Sequence, residues 1–106
     1  MISMMKPGVS CREIFESHRA RCEALGWPMV RPHIGHGLGI GLHEYPLIMP
    51  SENDVLQPGM CMSIEPNHVI PSTEKYHVED LVVIQETAAR VLSRSMEWSS
   101  LLTPGA

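Results

Sequence analysis

Five of the six histidines in this chain lie between His33 and His77, and the same stretch carries acids at unusual places. Glu65 closes the apolar run Met60-Cys61-Met62-Ser63-Ile64 and stands directly before Pro66. Glu79 and Asp80 open the most hydrophobic run of the chain, which ends at Ile84. Acids so placed become partly buried when the runs fold, and a buried carboxylate is costly unless it is paired or holds a cation. His36 is set between Gly35 and Gly37. One imidazole and two carboxylates from three extended segments suit a divalent transition metal. A plainer reading uses the same residues: Glu79 pairs with an arginine, and Glu65 ends a strand in solvent. Residue pattern alone leaves both open.

The elements that must position these groups follow from local signals. Pro7-Gly8 is a turn, Ser10 an N-cap, and Glu13 stands at capping-box spacing from it. Cys11, Ile14, Phe15, His18, Cys22 and Leu25 recur at helical spacing up to Gly26, which predicts a helix over residues 11–25. His18 falls on its apolar stripe and reads as a core or interface residue. The segment 27–50 holds Gly35, Gly37, Gly39 and Gly41, a pattern kept where backbones approach closely or bend sharply. After the turn Leu56-Gln57-Pro58-Gly59, residues 60–65 read as a strand, with Met60, Met62 and Ile64 on one face and Cys61, Ser63 and Glu65 on the other. Residues 78–84 read as a second strand, with Glu79, Leu81 and Val83 sharing a face, and 90–93 as a short third. The tail from Ser95 reads as irregular or weakly helical. One helix followed by mainly antiparallel strands is an α+β pattern.

Composition bounds the function. The 106 residues carry 43% hydrophobic and 5% aromatic side chains, enough for one small domain with a modest core. A net charge of −4 argues against a nucleic-acid-binding role, and no apolar run approaches the roughly 20 residues of a membrane span. Three cysteines without CxxC spacing read as inert, buried, reduced thiols, which fits the cytoplasm. His68 reads as solvent-exposed, Glu44 as support for its loop, and Pro71-Ser72-Thr73 as a loop.

Gly35-His36-Gly37-Leu38-Gly39 with His43-Glu44-Tyr45-Pro46 resembles the GHGIG…HExP signature of the pita-bread metallohydrolases (peptidase family M24). That family includes methionine aminopeptidase, aminopeptidase P, prolidase and creatinase. Leu56-Gln57-Pro58-Gly59-Met60 with Ser63-Ile64-Glu65-Pro66, and Val78-Glu79-Asp80, resemble its next two blocks in the right order. Lys6-Pro7-Gly8-Val9 is similar to the lead-in of its central helix. The step of 14 residues from Glu65 to Glu79 is most similar to the proline-peptidase branch. The resemblance implies that His36 and Glu65 ligate one metal, with Glu65 close to the attacking water, and that Glu79 bridges two metals. It implies that His43 hydrogen-bonds the substrate carbonyl, and it makes His33 a candidate pocket residue, with a plain loop histidine as the alternative. Two divalent ions (Mn, Co, Fe or Zn) would share a hydroxide in the intact family site. His36 and His43 lie seven apart, so an unbroken strand would point them to opposite faces, and the glycines between must supply a bend or bulge.

The departures shape the expectation. The family site needs two further aspartates ahead of the helix, and this chain has only Asp54 and Asp80, neither at those positions. His77 stands where many relatives carry Arg. Residues 1–106 therefore read as the C-terminal half of a pita-bread catalytic domain whose N-terminal half is absent. The expected function is that of an Xaa-Pro dipeptidase or aminopeptidase fragment, inactive alone, with at most a partial metal site. It would act on a peptide or small amide and rely on a homodimer or a complementing N-terminal half. Two alternatives remain: a non-catalytic pita-bread binding module, and a creatinase-like or lyase relative.

Overall fold

In the computed structural model, which describes residues 1–70 and 74–93, Ser10 caps the helix that its spacing to Glu13 predicts. Helix α1 runs Cys11–Ala24. The Glu13 N–H donates to Ser10 Oγ at 3.2 Å, and the Ser10 N–H donates to the Glu13 carboxylate at 2.9 Å. At the other end Gly26 takes φ 68°, a conformation that costs glycine nothing. The Gly26 N–H then reaches the Glu23 carbonyl at 3.1 Å and the Trp27 N–H reaches that of Cys22 at 2.8 Å. That pair of bonds closes the helix.

The strands are β1 Gly35–Gly37, β2 Glu44–Leu47, β3 Cys61–Ile64, β4 Asn67–Ile70, β5 Glu74–His77, β6 Asp80–Ile84 and β7 Ala89–Val91. Five of them form one sheet in the order β2-β1-β3-β6-β7, and β4 pairs with β5 separately. Every pairing is antiparallel, as the α+β expectation requires. One face of the sheet carries Met62, Ile64, Val82 and Ile84, all buried. They pack with Cys11, Ile14 and Phe15 of α1 and with Met5, Ile34, Ile48 and Leu56. Each buried aliphatic side chain contributes about 1.5–3 kcal/mol. On the other face lie Cys61, Ser63, Leu81 and Val83, and there Cys61 and Leu81 are exposed. The expectation of three buried thiols therefore fails at Cys61, since strand alternation turns it away from the helix.

The strand expected over 78–84 begins only at Asp80. Pairing with β3 stops at Ile64↔Asp80. One more step would set Glu65 directly against Glu79, and the next would use Pro66, which has no N–H. Like charges face to face and a missing donor both end a ladder. The strand expected at 90–93 is β7, one residue earlier. Leu25 is the helix cap and is 51% exposed, so the apolar stripe ends at Cys22. The β4–β5 hairpin was not foreseen, and it leaves His68 half-buried, not exposed. The loop expected at 71–73 and the tail from Ser95 lie outside the described residues.

Two outcomes test this packing. Burial, with the Glu52 and Asp54 carboxylates nearby, pushes the Cys11 thiol from 9.0 up to about 12. Between those values the unfolded chain releases the proton and the folded chain keeps it. The contribution to stability is thus whole below pH 9 and falls as pH rises through the window. Urea midpoints should drop from pH 8 to pH 10, less so in Cys11→Ala, and Cys61 should be alkylated first. At Gly37, an added Cβ would lie 2.6 Å from the Tyr45 carbonyl oxygen, a backbone atom that cannot swing away. Gly37→Ala should cost about 1–3 kcal/mol by urea denaturation. Gly41→Ala, which meets only the Glu44 side chain, should cost less.

Candidate metal centre

β1 and β3 are paired so that His36 lies directly across from Ser63, which places both on the face away from α1. Glu65, two residues beyond Ser63, follows on the same side, and its N–H is held by the Ile34 carbonyl at 2.9 Å. β1 and β2 form a hairpin whose register slips between His36 and Gly37. The connection 38–43 leads the chain back, and the Gly41 N–H donates to the Glu44 carboxylate, the supporting role expected of Glu44. By this route His43 returns to His36, their ring centroids 4.2 Å apart. The bend that the odd spacing demanded is therefore a hairpin with an irregular register.

Glu65 is buried, its side chain 7% exposed. Its two oxygens have different surroundings. Oε2 faces Arg31 at 3.3 Å and His77 Nε2 at 3.2 Å. Oε1 is buried with no hydrogen-bond partner among the described residues. It faces His36 Nε2 at 3.5 Å and His33 Nδ1 at 3.9 Å. His33 Nδ1 is likewise buried and without a partner among the described residues. Burial pushes the His33 pKa down, against the opposing pull of Glu65, and His36, Arg31 and His43 add to the fall. That ring is neutral at pH 7. His36 Nδ1 lies 2.9 Å from the Gly37 carbonyl, which can only accept, so Nδ1 carries the proton. In the neutral ring Nε2 then presents a lone pair to Glu65 Oε1. A carboxylate oxygen set against that lone pair is an arrangement that a cation between them would relieve.

The donor atoms of His36, His43 and Glu65 all lie within 4.8 Å of one another. Tetrahedral bonds of about 2.0–2.2 Å would hold such atoms roughly 3.3–3.5 Å apart, and the His36 Nε2–Glu65 Oε1 distance is already 3.5 Å. Two imidazoles and a carboxylate suit a divalent transition metal, and the orphaned Oε1 is the atom that needs one. The residues present fit the ion.

The sequence-derived candidates separate here. His36, Glu65 and His43 converge, although His43 is exposed. His33 stands beside them, its ring 6.5 Å from that of His36 and 6.4 Å from that of His43. Glu79 does not join them. It is exposed, and its carboxylate takes the Ser63 hydroxyl at 2.8 Å, the nearest donor available to it. Arg31 was not singled out in the sequence, because nothing local marks it. Its role arises from an approach across 34 positions of chain. His77 reaches Glu65 because β4 and β5 fold the chain back, with Asn67 opposite His77. Asn67 Nδ2 also donates to the Glu65 carbonyl at 2.9 Å.

Comparison with known proteins gives the same architecture. The Xaa-Pro dipeptidase of Pyrococcus furiosus is 33% identical over 95 residues, covering 89% of this chain and 27% of that protein. The methionine aminopeptidase of Escherichia coli strain K12 is 42% identical over 69 residues, 61% of this chain and 26% of its own length. In structure, the prolidase from Pyrococcus furiosus superposes with a TM-score of 0.83 at 31% identity, over 91% of this chain and 29% of that one. The chain thus spans about a quarter of the length of the curated relatives it matches, and its fold is that part of the pita-bread fold. Residues 1–86, which include every donor of the cluster, match the metallopeptidase family M24, and the chain belongs to that family.

Proposed function

We propose that residues 1–106 form part of the catalytic domain of a peptidase of the Xaa-Pro dipeptidase or aminopeptidase type, bearing one side of its metal centre. The observation that carries this reading is the buried Glu65 Oε1, without a partner among the described residues, set against the buried His36 Nε2. A binding module has no use for an arrangement that a cation would relieve. His36 and Glu65 would hold the ion, and Glu79 would supply a second carboxylate after releasing Ser63. When bound, divalent cations supply Lewis acidity to a water nucleophile and to the scissile carbonyl.

The chain's own groups do the remaining work. Glu65 would hold the ion through the oxygen that no described donor occupies, while Arg31 and His77 keep the other oxygen in place. His43, exposed at the mouth, donates a hydrogen bond to the substrate carbonyl and stabilises the oxyanion that develops there. His33, neutral and half-buried, lines the approach for a peptide or small amide. The two aspartates of the family site come from a complementing segment, either a second polypeptide or an N-terminal half. The centre described here is therefore a half-site. Three unpaired thiols accord with work in the cytoplasm. Among the described residues no helix is long and apolar enough to cross a membrane.

The test has two parts. Calorimetric titration of the metal-free chain with Mn or Co should show binding at the half-site, weakened about 10–100-fold or more by Glu65→Gln, since even groups behind a ligand count for that much. Xaa-Pro dipeptides with the same metals should give no turnover with the chain alone. They should give turnover once a polypeptide carrying the missing pair of aspartates is supplied. Full turnover by the isolated chain would refute the half-site, and loss of no affinity in Glu65→Gln would refute the centre.

A further inference from the structure

A second group of donors lies apart from the Glu65 pocket. His18 and Cys22 are four residues apart on α1 and therefore stand one above the other on the same helix face. His68, in β4, comes to meet them from the far side of a cleft of about 240 Å³. Cys22 Sγ lies 3.4 Å from His18 Nε2, and the ring centroids of His18 and His68 are 5.7 Å apart. One donor atom from each residue lies within 4.8 Å of the other two.

From these positions we propose a second metal site, made by His18, Cys22 and His68, that takes a borderline-soft divalent ion of the Zn or Co class. A tetrahedral ion with about 2.3 Å to sulfur and about 2.0 Å to nitrogen sets its S and N donors roughly 3.5 Å apart. The Cys22–His18 separation already has that length, so those two would not need to move. The His68 donor, within 4.8 Å of both, completes the set.

Three further features favour this use. His68 Nδ1 is buried with no hydrogen-bond partner among the described residues, a loss that an ion or its bound water would repair. His68 is also held in place: its backbone bridges to Met29, and Trp27 packs edge-on against its ring at 4.7 Å. Cys22 is buried, with its Sγ turned towards His18. The nearby Arg21 is exposed, so its charge is solvated and opposes the ion weakly. A thiolate with two imidazoles selects Zn or Co over Mn or Mg, which prefer oxygen. Three protein donors leave a fourth position for water or for a ligand entering the cleft. The site would tie α1 to the β4–β5 hairpin, the element that brings His77 to Glu65.

Cobalt is the suitable probe, because a thiolate ligand gives it a charge-transfer absorption in the near ultraviolet that the His36–His43–Glu65 cluster cannot produce. Titrating Co into the metal-free chain should produce this band, saturating at one equivalent per site, and Zn should displace it. Cys22→Ser should abolish the band, and His68→Gln should weaken Co binding at least 10-fold while leaving the helical circular dichroism intact. Cys61→Ser and Glu65→Gln should retain the band. Absence of the band in the unaltered chain overturns the proposal. So does a band that survives in Cys22→Ser or disappears in Cys61→Ser. If Cys22→Ser does not fold, the unaltered chain, His68→Gln and Cys61→Ser still decide the matter.

Discussion

A single buried carboxylate governs the arrangement of this chain. Removing the Glu65 charge from water costs several kcal/mol, and attraction to nearby cations repays this only where the geometry is good. The protein meets the requirement on one oxygen. Arg31 and His77 approach Oε2 from opposite directions along the sequence, one before β1 and one at the end of β5. The other oxygen faces His36 Nε2 at 3.5 Å and has no hydrogen-bond partner among the described residues. A fold selected for stability alone would have satisfied both oxygens or replaced the acid by an apolar residue. Leaving one oxygen open keeps a position for a cation, and the surrounding elements can be understood as what holds that position in shape.

The sheet divides the labour between its faces. Met62, Ile64, Val82 and Ile84 face α1 and supply apolar burial. The alternate positions in the same strands are then free for chemistry, and His36, Ser63 and Glu65 occupy them in sequence across β1 and beyond β3. A change of register by one residue would exchange the two sets, burying the acids in the core and exposing the aliphatics. Site and core therefore stabilise the same register. The tight contact of Gly37 with the β2 backbone serves the same end, since it fixes how closely His43 can return to His36.

Much of this was legible because it is local. Ser10 with Glu13, the alternation in residues 60–65, and acids at the ends of apolar runs are patterns that short-range physics imposes directly. What escaped the sequence was long-range. Arg31 reaches Glu65 because the segment around it runs beside residues 65–68, with Met29 bridged to His68 and the Glu65 N–H on the Ile34 carbonyl. The β4–β5 hairpin was hidden because its short strands alternate weakly, so His68 read as solvent-exposed. The placement of Glu79 depends on a contact that spacing cannot express, the Ser63 hydroxyl that it accepts at 2.8 Å.

The two histidine clusters also differ in a way that bears on each other. One combines imidazoles with a carboxylate, and the other combines imidazoles with a thiol. Divalent affinities rise towards copper and zinc for almost any nitrogen or sulfur site, so a protein that needs a harder ion at a carboxylate centre risks occupation by a softer one. A thiolate site on the same chain takes the softer ion preferentially, which leaves the Glu65 pocket to the ions that oxygen donors bind. The connection is mechanical as well as chemical. His68 and His77 lie on neighbouring rungs at the open end of the same hairpin, with His68 paired to Tyr76 and His77 paired to Asn67. Drawing His68 towards α1 would load that ladder and so bear on the position of His77 against Glu65 Oε2. The hairpin touches both clusters, and its register is a physical link through which filling one would be felt at the other.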